Sequence, residues 1–294
     1  MQKKWNELLK GAIELHAHSS PSIFPRRQND WELVEDVRSA GMSGIVLKAH
    51  EGVSYDRAKL IQEKYSDIKI YGGLVCNHFV GGLNVYAVNL ALRMGADIIW
   101  MPTLSTAQHK NYFKNNSKEN ILNSKENILS TDETISILKN GVVKENVKQI
   151  LELIANENKV LATGHLSSEE AYKLVLEAKR IGVKKILIQH VDLGISPYNL
   201  SEQKQLASEG CFLEKCYLAC SDDFSDLNIQ DMAESIREVG VENCVLVTDF
   251  GQKHNKPVVE ALNDFINELQ SNNINNTDIK QMVVNNPRIL MESK

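Results

Sequence analysis

Short apolar runs rich in β-branched residues alternate along the chain with longer amphipathic stretches. This alternation is typical of βαβ units, in which helices connect parallel strands and cover the sheet. Eight runs have the length and composition of buried strands. The predicted strands are Gly11–His18, Gly44–His50, Ile68–Asn77, Asp97–Pro102, Val160–His165, Lys185–Val191, Cys211–Cys216 and Cys244–Thr248.

The amphipathic stretches predict helices between and after these strands. Several begin after a capping residue such as Asn29 and end at a glycine such as Gly182. The predicted helices are Asp30–Ala40, Tyr55–Lys64, Val85–Met94, Asn146–Glu157, Ser168–Ile181, Glu202–Glu209 and Ile229–Val239, followed by Val258–Ser271 and Ile279–Met291. Eight strands favour a (β/α)8 TIM barrel over an open doubly wound sheet, which usually has fewer strands and a glycine-rich phosphate turn. The sequence contains neither G-x-G-x-x-G nor G-x-x-x-x-G-K.

One long stretch interrupts the alternation. We expect a single domain over residues 1–294, with an irregular insert at about 103–131 after the fourth strand. The insert contains two copies of Asn-Ser-Lys-Glu-Asn-Ile-Leu, at 116–122 and 123–129. A loop of this length is either a lid or a disordered surface segment. The repeat indicates only that length is tolerated here.

Composition narrows the class of protein. Hydrophobic residues make up 43% of the chain and charged residues 24%, as in soluble globular domains, and the net charge is −5. The only basic pairs that stand out are Arg26-Arg27 and Lys184-Lys185, so we expect no nucleic-acid partner. No apolar run approaches the roughly 18 residues of a membrane span, and the first residues do not resemble a secretion signal. We therefore expect no membrane association and a cytoplasmic location.

The cysteines support the same compartment. There are five, an odd number, and most lie in apolar, strand-like segments. No C-x-x-C pair is present, so buried reduced thiols are favoured over metal ligands or disulfides.

The first predicted strand contains an H-x-H motif, His16 and His18. Alternate side chains of a strand share a face, which places these imidazoles on one side, about 7 Å apart along the chain. Leu15 and Ala17 then face the other way. The pair could bind one metal ion, or it could be two exposed histidines near a strand end.

The other strand ends decide between these alternatives, because active sites of TIM barrels lie at the carboxyl ends of the strands. Six of the eight histidines fall at such positions, and His109 and His254 lie in the loops after the fourth and eighth strands. The ionisable strand ends are His16 and His18, Lys48 with His50 and Glu51, His78, His165, His190 with Asp192, Glu214 with Lys215, and Asp249. We therefore expect a metal site at this end of the barrel.

Nitrogen and oxygen ligands of this kind suit zinc, manganese, iron or nickel. The arrangement of H-x-H on strand one, single histidines on strands five and six, and aspartate on strand eight resembles the metal-dependent amidohydrolase superfamily. The resemblance covers nearly the whole chain. The phrases at 44–48, 100–103, 161–166 and 248–252 are similar to those of an uncharacterised amidohydrolase-related branch.

The resemblance implies one or two divalent transition-metal ions, with zinc as the expected metal. His16, His18 and Asp249 would hold the more buried ion, and His165 and His190 a second, more exposed one. Binuclear members usually bridge their metals with a carboxylated lysine or a glutamate at the end of strand four. That strand ends here in Ile99-Trp100-Met101-Pro102, which departs from the pattern.

The missing bridge leaves several alternatives open. Lys48 could replace it as a carbamate, or Glu51 or Glu214 could supply a carboxylate. Otherwise the site is mononuclear, and Lys48 pairs with Glu214 or binds an anionic substrate.

The resemblance also implies a reaction, hydrolysis of an amide, cyclic amide, lactone or ester bond of a small molecule by metal-activated water. Asp249 would take the proton from that water, and His190 or the metal would polarise the substrate carbonyl. The alternative for Asp249 is a helix N-cap. The residues predicted to contact substrate are Arg26, through a bidentate pair with a carboxylate or phosphate, and His50, His78 and Glu214.

Two other functions fit the same ligands. One is a metal-dependent decarboxylase or other lyase, since fold does not determine reaction. The other is a non-catalytic barrel that binds a ligand and keeps a structural metal, although structural zinc sites are usually closed and cysteine-rich. Loops around the mouth often pair in this superfamily, so a homo-oligomer is compatible with the resemblance.

Overall fold

A single parallel sheet forms the centre of the structure, a computed structural model that describes residues 5–116 and 133–292. Its eight strands follow one another in chain order around a barrel. They are β1 (Ile13–His18), β2 (Gly44–Lys48), β3 (Lys69–Val75), β4 (Ile98–Trp100), β5 (Val160–Ala162), β6 (Lys185–Ile188), β7 (Phe212–Cys216) and β8 (Cys244–Val247). The predicted (β/α)8 TIM barrel is confirmed.

The barrel closes between its first and last strands. The closing contacts are backbone hydrogen bonds from Asp249 N to the His16 carbonyl and from His18 N to the Phe250 carbonyl, each 2.9 Å long. The buried Glu14 carboxylate adds two more, because it accepts from the amides of His16 at 2.9 Å and Thr248 at 3.2 Å. Closure therefore depends on the residues that surround the H-x-H motif.

Eleven α-helices are present in the described ranges. They are α1 (Asp30–Ser39), α2 (Tyr55–Gln62), α3 (Val85–Arg93), α4 (Ala107–Asn116), α5 (Glu145–Asn156), α6 (Ser168–Ile181), α7 (Leu200–Ser208), α8 (Ile229–Val239), α9 (Val258–Ser271), α10 (Asn276–Lys280) and α11 (Asn286–Met291). A two-residue β-ladder pairs Leu138–Lys139 with Val142–Val143, and a π-helical turn, Gln281–Asn285, joins α10 to α11. Among these helices, none is both long and apolar enough to cross a membrane.

Helix ends follow local capping chemistry. Asn29 caps α1 in a reciprocal capping box with Glu32, as the sequence signal predicted. The helix predicted to start at Glu202 begins instead at Leu200, because Asn199 forms the same box with Glu202. Glu202 is thus the third residue of α7 and not its first.

The insert predicted at about 103–131 is irregular only in part. Residues 107–116 form α4, so the prediction of irregular structure is wrong there. Helix α4 has no regular apolar stripe, but it buries His109 and Tyr112 against the rest of the protein. Most of the tandem repeat, 117–129, lies outside the described residues.

Apolar side chains fill the space between strands and helices. Helix α6, for example, buries Ala171, Leu174, Val175 and Ala178, which lie at the i, i+3, i+4, i+7 spacing of one helix face. All five cysteines are free, and all but Cys220 are buried.

The barrel interior is different at the carboxyl ends of its strands. Ionisable side chains there are almost completely excluded from solvent, with at most 1% exposed: Glu14, His16, His18, Lys48, His190 and Glu214. Burial of charge is costly unless the charges are paired or bind an ion, so this cluster needs a specific account.

Candidate metal centre

Three buried side chains converge at the junction of β1 and β8. The Nε2 atoms of His16 and His18 lie 3.0 and 2.9 Å from the same carboxylate oxygen, Asp249 Oδ1. The ligand atoms of these three residues all lie within 4.8 Å of one another, which is close enough to hold one metal ion. The predicted H-x-H pair and the predicted strand-eight aspartate are therefore brought together.

Local backbone geometry aims these side chains. His16 and His18 alternate with Leu15 and Ala17 along β1, and the two imidazole centroids are 5.4 Å apart. Asp249 has a φ of 56°, an unusual value for a non-glycine residue. Gly251 follows at φ 144°, and a Cβ there would lie 2.0 Å from the His18 carbonyl oxygen. Only glycine lets this chain pass so close to β1.

The outer nitrogen of each imidazole fixes its tautomer. His18 Nδ1 lies 3.0 Å from the Lys48 carbonyl oxygen, which can only accept, so Nδ1 carries a proton. His16 Nδ1 likewise lies 2.9 Å from the carboxylate of Glu214. In the neutral rings, both Nε2 atoms then present lone pairs toward Asp249. Carboxylate support of a ligand histidine is common around metals.

The inner face of this arrangement offers acceptors and no donor from a neutral His18. In a neutral His18, the Nε2 lone pair and Asp249 Oδ1 are two acceptors 2.9 Å apart. Burial lowers the pKa of His18 to about 3, with the Arg26 guanidinium acting in the same direction. A metal ion between the acceptors would satisfy both, so the donor set fits a divalent transition metal.

His16 is the group that takes a proton when no metal is bound. Burial by itself lowers the pKa of His16, but the carboxylates of Asp249 and Glu214 outweigh it and raise the pKa to about 9. For Asp249, burial acts upward, yet His16 and His18 hold the pKa of its carboxyl well below the usual range. The site is therefore strongly attractive to positive charge.

Lys48 reaches the same cluster from β2. Its Nζ lies 2.9 Å from His16 Nε2 and 5.9 Å from the centre of the Trp100 ring. Burial lowers the pKa of Lys48 to about 8, although Asp249 and Glu214 act in the opposite direction. Only the neutral form of an amine reacts with carbon dioxide to give a carbamate. A pKa near 8 leaves part of Lys48 in that form near physiological pH.

His165 and His190 lie beside the first three residues. The ring centroid of His190 is 5.9 Å from that of His16 and 4.8 Å from that of His165. Burial lowers the pKa of His190 to about 3 and that of His165 well below its usual value. Both rings are therefore neutral, as metal-binding imidazoles must be.

Glycine again controls the approach of a histidine. Gly164, with a φ of 63°, precedes His165, and a Cβ there would lie 2.3 Å from the Met101 carbonyl oxygen. His190 itself has a φ of 27°. Such conformations cost energy and are often found at functional sites.

Three buried polar atoms around the cluster lack hydrogen-bond partners among the described residues. They are His190 Nε2, Gln189 Oε1 and Glu214 Oε1. Unsatisfied atoms of this kind are rare in folded proteins and call for a bound ion, water or ligand. Their concentration around His16 indicates that the site is completed by something outside the polypeptide.

A small, partly enclosed cavity opens beside the cluster. Its polar wall contains His18, His50, His165, Asp249, Arg26 and Gln252. The rest of its lining is apolar and consists of Phe113, Leu193, Ile195, Leu218 and Phe224. Two of the predicted substrate contacts, Arg26 and His50, therefore lie where a substrate next to the metal ligands would lie.

The other two predicted substrate contacts lie elsewhere. His78 is part of a short 3-10 turn, Nε2 lies 3.3 Å from the Glu133 carbonyl oxygen, and the residue does not line the cavity. Glu214 is completely buried behind His16, with its Oε2 also accepting the His190 amide at 3.1 Å. These placements give neither side chain access to a ligand in the cavity.

One more histidine, which the sequence placed only in the loop after the fourth strand, joins this cluster. His109, on α4, has its Nδ1 3.0 Å from Nδ1 of His165, so one ring donates to the other. Burial lowers the pKa of His109 to about 3. The sequence showed a histidine in the segment after the fourth strand. It did not predict helix α4, which places His109 in the interior.

A family model described as a family of unknown function (DUF6282) matches residues 11–214. The chain belongs to this family. The matched region includes H-x-H, Lys48, His165, His190 and Glu214. A comparison with curated proteins gives no match.

Solved structures with the same fold include several enzymes. An amidohydrolase from Pseudomonas aeruginosa is 14% identical with a TM-score of 0.65, and 97% of each chain is covered. A 2,6-dihydroxybenzoate decarboxylase from Rhizobium is 10% identical with a TM-score of 0.59, with 96% of this chain and 99% of that chain covered. A probable 2-pyrone-4,6-dicarboxylic acid hydrolase from Acinetobacter baumannii is 11% identical with a TM-score of 0.63, covering 96% and 100%. At these identities the likeness confirms the expected resemblance at the level of the fold.

Proposed function

We propose that this protein is a metal-dependent enzyme of the amidohydrolase superfamily that hydrolyses an amide, cyclic amide, lactone or ester bond of a small molecule. The observation that carries the proposal is the convergence of His16 Nε2 and His18 Nε2 on Asp249 Oδ1 in a buried site. We further propose that the chain is one domain and acts in the cytoplasm, the latter supported by its free cysteines.

The first ion would be held by His16, His18 and Asp249. His165 and His190 would hold a second ion, for which the unpartnered Nε2 of His190 offers a lone pair. Zinc suits these imidazole and carboxylate ligands. A carbamate on Lys48 would supply the bridge that the fourth strand lacks, and without it we expect one ion.

A metal ion bound there would supply Lewis acidity and lower the pKa of a coordinated water toward neutrality. Asp249 lies in the cavity wall, and its Oδ2 has no hydrogen bond from the described residues. This oxygen is placed to accept the proton of the attacking water and pass it to the leaving group. Glu214, which the sequence suggested as a substrate contact, instead orients His16.

The role of His190 depends on its tautomer. Its Nδ1 forms a 3.0 Å hydrogen bond with Ser196 Oγ. If the serine hydroxyl donates, Nε2 carries a proton and can polarise a substrate carbonyl. If Nδ1 donates, Nε2 is a metal ligand. Both roles use the same unpartnered atom.

Decarboxylation of a small carboxylic acid is the second candidate reaction. It is favoured by the buried, unpartnered Nη2 of Arg26 beside the metal ligands, which suits a carboxylate in the cavity. The Rhizobium decarboxylase with the same fold is compatible with it. Release of labelled carbon dioxide from a carboxyl-labelled substrate would distinguish this reaction from hydrolysis.

The first test is elemental analysis of protein purified without chelator. We expect about one or two equivalents of transition metal per chain, because the donor set matches a catalytic site. The double variant H16N/H18N should lose most of this metal. H254N is the matched control, because His254 is exposed and pairs with Asp223.

Three outcomes would contradict the proposal. Wild-type protein that contains no metal and takes up none on reconstitution would rule out metal-dependent catalysis. Metal that remains in H16N/H18N at the level of H254N would place the ion elsewhere. A metal-loaded protein without turnover on amides, lactones, esters and carboxylates would favour the non-catalytic barrel.

A further inference from the structure

We propose that the cavity selects a substrate with a carboxylate joined to a flat apolar body, and that Arg26 binds the carboxylate. The inference rests on the proposed function, because it names the substrate class of the same site. It is carried by the placement of Arg26 and by the apolar residues that line the same cavity.

Arg26 is held in place without being neutralised. Its Nε donates to Ser22 Oγ at 3.2 Å, and the guanidinium lies over the Phe24 ring at 5.3 Å from the centroid. The backbone is fixed as well, since Arg26 forms an antiparallel bridge with Gln252 in the loop after β8. The side chain therefore has little freedom to turn toward solvent.

The Nη2 atom of this guanidinium is buried and has no hydrogen-bond partner among the described residues. Arg26 also forms no salt bridge with any of the described residues, although Glu51 and Asp249 are close enough to raise the pKa of its guanidinium. Burial lowers the pKa of Arg26 to about 10, which leaves it cationic at neutral pH. A partly buried guanidinium whose Nη2 has no partner at a cavity wall can accept an anion from outside the chain.

The apolar part of the cavity lining indicates the chemistry of the rest of the ligand. Phe113 and Phe224 belong to it, together with three aliphatic side chains: Leu193, Ile195 and Leu218. A polar or doubly charged body would be desolvated there without hydrogen bonds. A ring or short hydrocarbon would bury its surface, and the bond to be cleaved would face His18 and Asp249.

A carboxylate is favoured over a phosphate ester by charge. Arg26 is the only arginine or lysine in the cavity wall as the described residues define it, and Asp249 is a carboxylate in the same wall. One guanidinium edge balances a single negative charge, whereas a dianion would remain partly uncompensated next to Asp249.

The test is calorimetric binding of four probes to the purified, metal-containing protein: benzoate, benzamide, acetate and phenyl phosphate. Benzoate should bind at least about tenfold more tightly than benzamide, which matches its shape without the charge, because charged hydrogen bonds typically contribute that much. Acetate should bind more weakly than benzoate because it cannot fill the apolar wall. Phenyl phosphate should also bind more weakly.

R26Q and R27Q form a matched pair of variants. Arg27 is an exposed neighbour whose amide donates to the Gly251 carbonyl, a contact that the substitution keeps. R26Q should lose about tenfold or more of the benzoate affinity, while R27Q stays within about twofold of wild type. The same measurements of acetate and benzoate on chelator-treated protein show whether Arg26 or a metal ion binds the carboxylate.

The outcomes distinguish this inference from the proposed function. Equal benzoate affinities in R26Q and R27Q, with both variants folded, would overturn the role of Arg26, even if metal is present and esters are hydrolysed. Equal affinity for acetate would overturn the apolar body, and tighter phenyl phosphate would overturn the carboxylate. Arg26-dependent binding of benzoate to a protein that takes up no metal would support the ligand class while the metal-dependent reaction fails.

Discussion

At the scale of single residues, the site depends on which proton each ring carries. The Lys48 carbonyl and the Glu214 carboxylate hold protons on the outer nitrogens of His18 and His16, and so leave both inner nitrogens for a cation. The sequence predicted the two histidines and Asp249, because strand alternation and strand ends are readable. It did not predict that Glu214 supports His16, since strand ends show which residues lie at the barrel mouth but not which of them contact each other.

Glu214→Gln tests this support. The glutamine keeps the size of the side chain but removes the negative charge that faces His16 Nδ1. We expect metal affinity to fall by about 10- to 100-fold, as for other partners of ligand histidines. Titration against a chromophoric chelator would measure the change.

Glu145→Gln is the control for that experiment, because Glu145 is exposed at the start of α5 and pairs only with Lys148 among the described residues. An E214Q protein with the metal affinity of E145Q would show that the Glu214 carboxylate is not needed to orient His16. Circular dichroism of both variants would show whether either has unfolded.

At the scale of elements, the close passage of the 249–251 segment along β1 is the feature that assembles the ligands. Gly251→Ala would place a Cβ 2.0 Å from the His18 carbonyl oxygen, so the segment must move away from β1. We expect the variant to fold but to lose most of its bound metal, because Asp249 moves with the segment. Metal content after gel filtration would measure this loss.

Gly210→Ala provides the comparison. Gly210 also has a positive φ, of 80°, but a Cβ there would meet nothing within 4 Å. Both substitutions place a Cβ on a residue with a positive φ, whereas only G251A forces a displacement. Normal metal content in both variants would mean that the β1–β8 contact is not what positions Asp249.

Element boundaries also show where sequence reasoning stopped. Strands β5 and β6 end at Ala162 and Ile188, each three residues before the predicted ends at His165 and Val191. Apolar runs continue past the ladder because the loops at the mouth are buried as well. Helix α4 was missed for the opposite reason, since its buried face is built from His109 and Tyr112 and has no regular apolar spacing.

At the scale of the whole molecule, five buried neutral histidines make stability depend on pH. Burial lowers the pKa of His18, His109 and His190 to about 3, and that of His50 and His165 well below the usual value. In the unfolded chain these side chains take up protons near pH 6.5, whereas in the folded protein they stay neutral. The unfolded state therefore binds more protons, and the free energy of unfolding falls as pH falls below about 6.5.

The opposite sign applies to His16, whose pKa in the folded protein is about 9. Its contribution is fully present below pH 6.5 and is lost as pH rises toward 9. Metal-free protein should thus be most stable between these limits. Urea unfolding at pH 5.5, 6.5, 7.5 and 9 would show the maximum.

H109N should show a shallower acid slope than wild type, by about 1.4 kcal/mol per pH unit, because one buried neutral histidine has been removed. A slope equal to that of wild type would mean that His109 is protonated in the folded protein or exposed in it.

The three candidate metal ligands come together only where the barrel closes, so their assembly depends on the order in which the chain is synthesised. His18 and Asp249 are 231 positions apart, and they meet only when the last strand has joined the first. During synthesis, the chain that ends before β8 carries the H-x-H pair but lacks the third ligand. On the proposed function, high-affinity metal capture would therefore be a late event, and a bound ion would stabilise the contact between the first and last strands against reopening.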